Sequence, residues 1–312
     1  MIGAQAGSSQ RMKRVKKYFP LFLMMVPGFI YLLINNYLPM FGLVIAFKDI
    51  DFTKGILASG WAGLKNFKYL FSTADAFIIT RNTILYNITF ITLDLIVAVF
   101  LAILLHEIME SYSSKVYQTV LLLPYMISTV IVGYLVYAFL NVRTGYVNTK
   151  LGPLFGFPKI NWYMESQYWP FILPIVNLWK TIGFSVMIYF SAIIGLDRSC
   201  YEAAVIDGAT KWQQIRHITL PLLKPVMILL LLLQTGRIFY SDFGMFYQVP
   251  MDSGMLYSTT NVIDTYVYRA LLRLGDVGMA SAAGFYQSIV GFLLVVTTNL
   301  IIRKISPEDA LF

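Results

Sequence analysis

Few residues of this chain could do chemistry, and most of those lie in one stretch. Residues 199–225 read SCYEAAVIDGATKWQQIRHITLPLLKP, a polar segment set between long apolar runs. Ser199-x-x-Glu202 and Thr210-x-x-Gln213 each fit a capping box, in which a hydroxyl takes the N3 amide and the N3 side chain returns to the cap. Gly208 stands where a first helix needs a left-handed residue beyond its end, and Pro221 and Pro225 stand where a new helix could begin. The spacing predicts two short helices with a bend between them. Ala203 and Ala204 leave almost no side chain on the first, so another protein could approach closely. Trp212, Ile215 and Ile218 give the second an apolar face. Such a stretch suits docking.

Catalytic machinery is hard to assemble from what remains. Cys200 is the single cysteine, and His106 and His217 are the two histidines, which excludes a disulfide framework and argues against an all-protein metal site. No GxxxxGK[ST] occurs, nor any Gly-Lys dipeptide, so the sequence carries no P-loop. No nucleophile and base fall together at membrane depth.

What must position the polar stretch is a membrane bundle. At 58% hydrophobic and 13% charged residues, with mean hydropathy +0.67, the chain lacks the charge to cover a water-facing surface. Its net charge of +8 gathers beside apolar runs, which points to membrane anchoring and away from nucleic acid. Residues 1–10 read as a disordered tail, followed by Arg11, Lys13, Arg14, Lys16 and Lys17, a cluster that would hold the N-terminus in the cytoplasm. Apolar runs then predict about six spans, roughly at 18–47, 76–106, 116–140, 168–196, 225–243 and 280–302. Segments 48–75, 141–167 and 244–279 become outer loops, the first with a short interfacial helix carrying Trp61, Phe67, Tyr69 and Phe71. Both termini and the polar stretch would share the inner side, with Arg303 and Lys304 anchoring the last span.

Ionisable residues inside spans mark candidate substrate paths, because each is costly in hydrocarbon. Asp94 and Arg237 each lie about twelve residues from the inner end of their predicted span, roughly 18 Å deep, and could pair with each other or line a path. Lys180 lies further toward the outside, as a snorkelling lysine or a lining one. Asn87, Thr92, Tyr189, Gln234 and Tyr240 supply hydroxyl and amide groups or flat rings suited to a sugar. Were the sugar acidic, Arg237 and Lys180 would supply countercharge. An ion- or proton-coupled secondary transporter using Asp94 is the alternative, although no repeated halves are visible. The small residues Ala280, Ser281, Ala282, Ala283 and Gly284 would let a partner helix approach closely.

Glu202-Ala203-Ala204-x-x-Asp207-Gly208-Ala209, followed by Ile218-Thr219-Leu220-Pro221, resembles the EAA coupling loop of bacterial ABC importer permeases, and it precedes the penultimate span as in that family. Residues 37–48, YLPMFGLVIAFK, and Gly63-Leu64-x-Asn66-Phe67 resemble carbohydrate permeases, especially the branch handling complex polysaccharides and oligosaccharides such as alginate. The resemblance implies an all-α integral membrane protein of the type I importer fold. It would have a basic cytoplasmic tail over 1–17 and one transmembrane domain over 18–312, with its coupling loop at 197–225. It implies a transport subunit with no cofactor of its own, since ATP and Mg belong to a partner ATPase. Glu202 would face that ATPase, Ala203 and Ala204 would permit close packing, Asp207 would belong to the same coupling surface, Gly208 would make the bend, and Ile218 and Pro221 would fix the second helix against the fifth span. The implied partners are two ATPase subunits, a second permease expected to be a paralogue, an extracytoplasmic solute-binding protein, and an oligo- or polysaccharide. The implied location is the bacterial inner membrane.

Overall fold

The computed structural model describes the backbone of residues 3–305 other than residue 110, and side chains between residues 17 and 304. Helix α1, Gly3–Leu32, passes through a wide π turn at Leu33–Tyr37, just ahead of Pro39, and tightens to 3-10 geometry over Phe41–Phe47. The disorder expected for residues 1–10 is thereby corrected from Gly3 onward, because Ala4, Gln5 and Ala6 extend a helix that the apolar run already nucleates. The side chains of Arg11, Lys13, Arg14 and Lys16 lie outside the described residues. The span Lys17–Phe47 has none of its most apolar window covered by the rest of the chain.

Strands β1 (Lys48–Asp49) and β2 (Gly60–Trp61) form a small antiparallel hairpin that leads into α2, Lys65–Ser72. Trp61, Tyr69 and Phe71 are exposed as expected. Phe67 is half-buried instead and packs against Phe47 and Phe285, at 5.2 and 5.6 Å between ring centres. The second span is α3, Ala74–Glu107.

The third span, expected over 116–140, consists of two helices, α4 (Tyr112–Met126) and α5 (Thr129–Leu140), bent by 97°. Pro124 deprives the last turn of α4 of a hydrogen bond, Ile127 is extended, and the Ser128 hydroxyl caps the new helix by accepting from the Ile131 N–H. α6, Trp169–Ile194, is the fourth span, and α7, Arg198–Ile206, follows it. The fifth span, expected from 225 to 243, is α8, Lys211–Thr235. Pro221 and Pro225 start no helix there, because a π turn at Ile215–Thr219 widens the backbone ahead of Pro221 and the helix runs on. Beyond it come α9 (Phe243–Gln248), α10 (Ile263–Leu272) and α11 (Val277–Ile305). Among the described residues, five helices are long and apolar enough to cross a bilayer, six with the bent pair.

Inside lipid, close packing rather than water exclusion holds helices together. α3 offers the small residues Ala98 and Ala102 to Ile182, Val186, Tyr189 and Ile193 of α6, and Leu223 of α8 closes the cluster. α4 runs so near α6 that a Cβ on Gly183 would lie 1.9 Å from the Leu121 carbonyl oxygen, so only glycine fits. Tyr86, Trp169, Met245 and Phe246 make a second cluster, and Ile79, Phe239, Ile263 and Met279 a third, around the end of α8.

Candidate functional site

The polar stretch folds into a protruding knob. The N-cap of α7 is Asp197, whose carboxylate accepts the Ser199 N–H at 2.9 Å, so the expected Ser199–Glu202 box does not form. That bond holds the Asp197 carboxyl below the usual carboxylate range. Glu202 is exposed as a result and makes no hydrogen bond or ion pair among the described residues. α7 ends in a Schellman motif, with the Ala209 N–H on the Ala204 carbonyl at 2.8 Å and Gly208 at φ +77° following the Asp207 cap. The second box forms as expected between Thr210 and Gln213. Ile206, 85% exposed, and Trp212, 67% exposed, flank the Ala203–Ala204 face with no covering element. Ile218 is half-buried and Pro221 exposed, within the unbroken foot of α8.

Two contacts tie the knob to the spans. The Tyr201 hydroxyl meets the Thr219 hydroxyl at 2.9 Å, and Lys211 pairs with Glu107 at 3.0 Å. The hydroxyl contact joins α7 to the foot of α8. The exposed ion pair contributes little stability by itself.

A cavity of about 240 Å³ lies between α3, α6 and the end of α8. Asn87, Phe90 and Asp94 line it from α3, Asn177, Thr181 and Ser185 from α6, and Gln234, Arg237 and Tyr240 from the end of α8 and the turn after it. Asp94 accepts from the Ser185 hydroxyl at 2.8 Å and from the Gln234 amide at 3.2 Å, both on Oδ2. Its Oδ1 is buried with no partner among the described residues. Arg237 shares the cavity but forms no ion pair with Asp94, and its guanidinium makes no hydrogen bond among the described residues. Arg237 is also not inside a spanning helix: α8 stops at Thr235, and residues 236–239 form a turn closed by the Tyr240 N–H on the Arg237 carbonyl. A buried charge pair is thus replaced by a buried carboxylate bonded to Ser185 and Gln234 and an exposed guanidinium on the wall of the same cavity.

Other expected residues are placed elsewhere. Lys180 donates to the Ile127 carbonyl at 3.1 Å and the Tyr125 carbonyl at 3.5 Å, filling the break between α4 and α5, with its ammonium 5.8 Å from the Tyr125 ring centre. Tyr189 is buried in the α3–α6 core. Thr92 spends its hydroxyl on the Ile88 carbonyl. Asn177, Thr181 and Ser185 line the cavity without having been singled out for it, although their i, i+4, i+8 spacing draws a polar stripe down an apolar helix. Asp264 and Gln287 support the turn from outside the cavity, and burial pushes the Asp264 carboxyl above the usual carboxylate range.

A bundle of spanning helices with a polar cavity between three of its elements and an uncovered short helix at one end is the architecture of a membrane transport subunit. Residues 94–307 match the family described as binding-protein-dependent transport system inner membrane component. The chain belongs to that family, and is a permease component rather than an enzyme. It is 36% identical over 293 residues to the polygalacturonan/rhamnogalacturonan transport system permease protein YteP of Bacillus subtilis (strain 168), covering 92% of this chain and 89% of that protein. It is 32% identical to the protein LplB of the same organism, over 92% of this chain and 90% of that one. In three dimensions it matches a chain of a bacterial ABC transporter involved in the import of the acidic polysaccharide alginate, with TM-score 0.87, 31% identity, and 95% and 99% of the two chains covered. A second match, with TM-score 0.85 and 31% identity, is to the alginate transporter in complex with an alginate pentasaccharide-bound periplasmic protein, over 94% and 97% of the chains. These matches bring no support to the ion-coupled alternative built on Asp94.

Proposed function

We propose that this chain forms half of the membrane pathway of an ATP-driven importer for acidic oligosaccharides, with the central cavity as its substrate contact and α7 as its coupling element. The observation that carries the reading is the placement of the unpaired Arg237 guanidinium in one cavity with the amides of Asn87, Asn177 and Gln234. Sugar hydroxyls are met by amides and hydroxyls, and a uronate carboxylate is met by a planar guanidinium. The relatives named for polygalacturonan and the structural match involved in alginate import support an acidic cargo.

Coupling follows from the knob. Glu202 presents an unspent carboxylate, Ala203 and Ala204 admit a close partner, and Asp207 with Gly208 turns the chain back toward α8. The partner is an ATPase subunit that binds ATP and Mg, present in two copies, one under this chain and one under a second permease that we expect to be a paralogue. A solute-binding protein delivers cargo to the opposite face. The knob and both termini then lie in the cytoplasm.

The test replaces Arg237 with glutamine in the importer, co-expressed with its ATPase and second permease and reconstituted in proteoliposomes. Uptake of a short oligogalacturonate is expected to fall about tenfold or more while uptake of a neutral oligosaccharide is little changed, the scale of one lost charge-assisted contact. Equal loss for both cargoes contradicts the assignment.

A further inference from the structure

The turn that carries Arg237 and Tyr240 into the cavity bonds amides of its own as far as Tyr240, but among the described residues the Ile238 and Phe239 carbonyls and the Ser241 N–H have no backbone partner, and unpaired peptide groups are costly at membrane depth. Side chains from three other elements supply the partners. Asn87 of α3 donates to the Ile238 carbonyl at 3.0 Å, Gln287 of α11 donates to the Phe239 carbonyl at 2.7 Å, and the Ser241 N–H donates to Asp264 Oδ2 of α10 at 2.8 Å. Gln287 also donates to both Asp264 oxygens, at 3.2 and 3.1 Å, so the two side chains lock one another. Gln287 is buried, and its amide spans the gap between the turn and α10.

From this geometry we infer that Asp264 and Gln287 are positioning residues for cargo recognition, holding the turn 236–241 so that Arg237 and Tyr240 face the cavity. Neither touches the cavity itself. They act through the backbone of the turn, and they join it to α10, which lies at the end of the bundle away from the coupling helix. α10 is in turn braced at its other end, where Arg269 and Arg273 both pair with Asp252. Displacement of α10 by a partner on that face would therefore be passed to the cavity wall through a pair of side chains. Asp264 needs acceptor atoms here rather than charge, because its Oδ2 receives both the Ser241 N–H and the Gln287 amide. An asparagine with its carbonyl in that position keeps both bonds, whereas leucine keeps neither.

The inference rests on the cavity reading above, and the test separates the two. Cys200, the single cysteine, is replaced by serine and a nitroxide is attached at Tyr240→Cys in the assembled importer. The nitroxide spectrum is expected to show a mobile turn in Asp264→Leu and Gln287→Leu and an unchanged one in Asp264→Asn. Without the label, the leucine variants should raise the KM for uptake of a short oligogalacturonate about tenfold, with cargo-free ATP hydrolysis unchanged and Asp264→Asn close to wild type, the scale of one or two lost hydrogen bonds. A nitroxide that stays immobile in both leucine variants overturns the positioning role. So does an Asp264→Asn variant as damaged as Asp264→Leu. Should the nitroxide be released while neither the leucine variants nor Arg237→Gln alters uptake, the clamp stands as structure, its part in cargo recognition is lost, and the cavity reading is what has failed.

Discussion

Lys180 separates a cargo-binding cation from a structural one, and the structure gives the separation a magnitude. Its ammonium sits at the break in the third span, where the carbonyls of Tyr125 and Ile127 have lost their helical partners. The 3.1 Å bond to Ile127 is a charged donor on a neutral acceptor and contributes about 2 kcal/mol. The 3.5 Å contact is at the limit of a hydrogen bond and adds little, and the Tyr125 ring at 5.8 Å adds roughly 0.5 kcal/mol. Lys180→Met keeps the stem and removes the donor, so it should cost about 2 kcal/mol and lower the unfolding midpoint of the detergent-solubilised protein by about 3 °C. Below the new midpoint, the KM for an acidic oligosaccharide should not change. A variant with wild-type stability and a raised KM for acidic cargo alone would refute the assignment of Lys180 to the break and return it to the pathway.

Gly183→Ala places a methyl 1.9 Å from the Leu121 oxygen, so α4 and α6 must part by more than an ångström. A loss of about 3 kcal/mol and reduced yield of folded protein in detergent are expected, and full stability would contradict the packing described. Asp197→Ala removes the cap of α7. Because the folded carboxyl titrates below its ordinary value of 3.8, the cap's contribution is fully present above that pH and lost as pH falls through the folded value. The difference between wild type and variant in hydrogen exchange across 198–206 should therefore shrink on acidification, and a difference that grows would oppose the assignment.

The spans and the two helices of the polar stretch with the bend between them were legible because hydropathy and the string from Glu202 to Pro221 are local signals. The Thr210–Gln213 box and the left-handed Gly208 followed from residue type alone. Ser199 was a plausible cap that lost to Asp197, since both fit the rule and only the chain's exit from α6 decides between them. The fold of the third span was not legible: Pro124 and Ser128 are ordinary in apolar helices, and the 97° bend depends on what packs against each half. The cavity was half legible. Asp94, Asn87, Gln234, Arg237 and Tyr240 converge as their types suggested, while the pairing of Asp94 with Arg237 fails because α8 ends before Arg237. Lys180 and Tyr189 look the same in sequence as cavity residues, and only the break and the core beside them give them other work. Asp264 and Gln287 act across long stretches of chain on a turn whose irregular backbone no periodicity announces.

The proposed transport depends most on force entering through α7 and being spent on moving cargo. In proteoliposomes containing the full importer, ATP-driven uptake of a short oligogalacturonate and cargo-stimulated ATP hydrolysis are measured for Glu202→Ala and for Gly208→Val, which forces a branched side chain to φ +77°. Both variants should lose uptake and stimulation, while unstimulated hydrolysis by the ATPase subunits persists. Uptake that survives with α7 disrupted, or that proceeds in vesicles lacking the ATPase, contradicts the account.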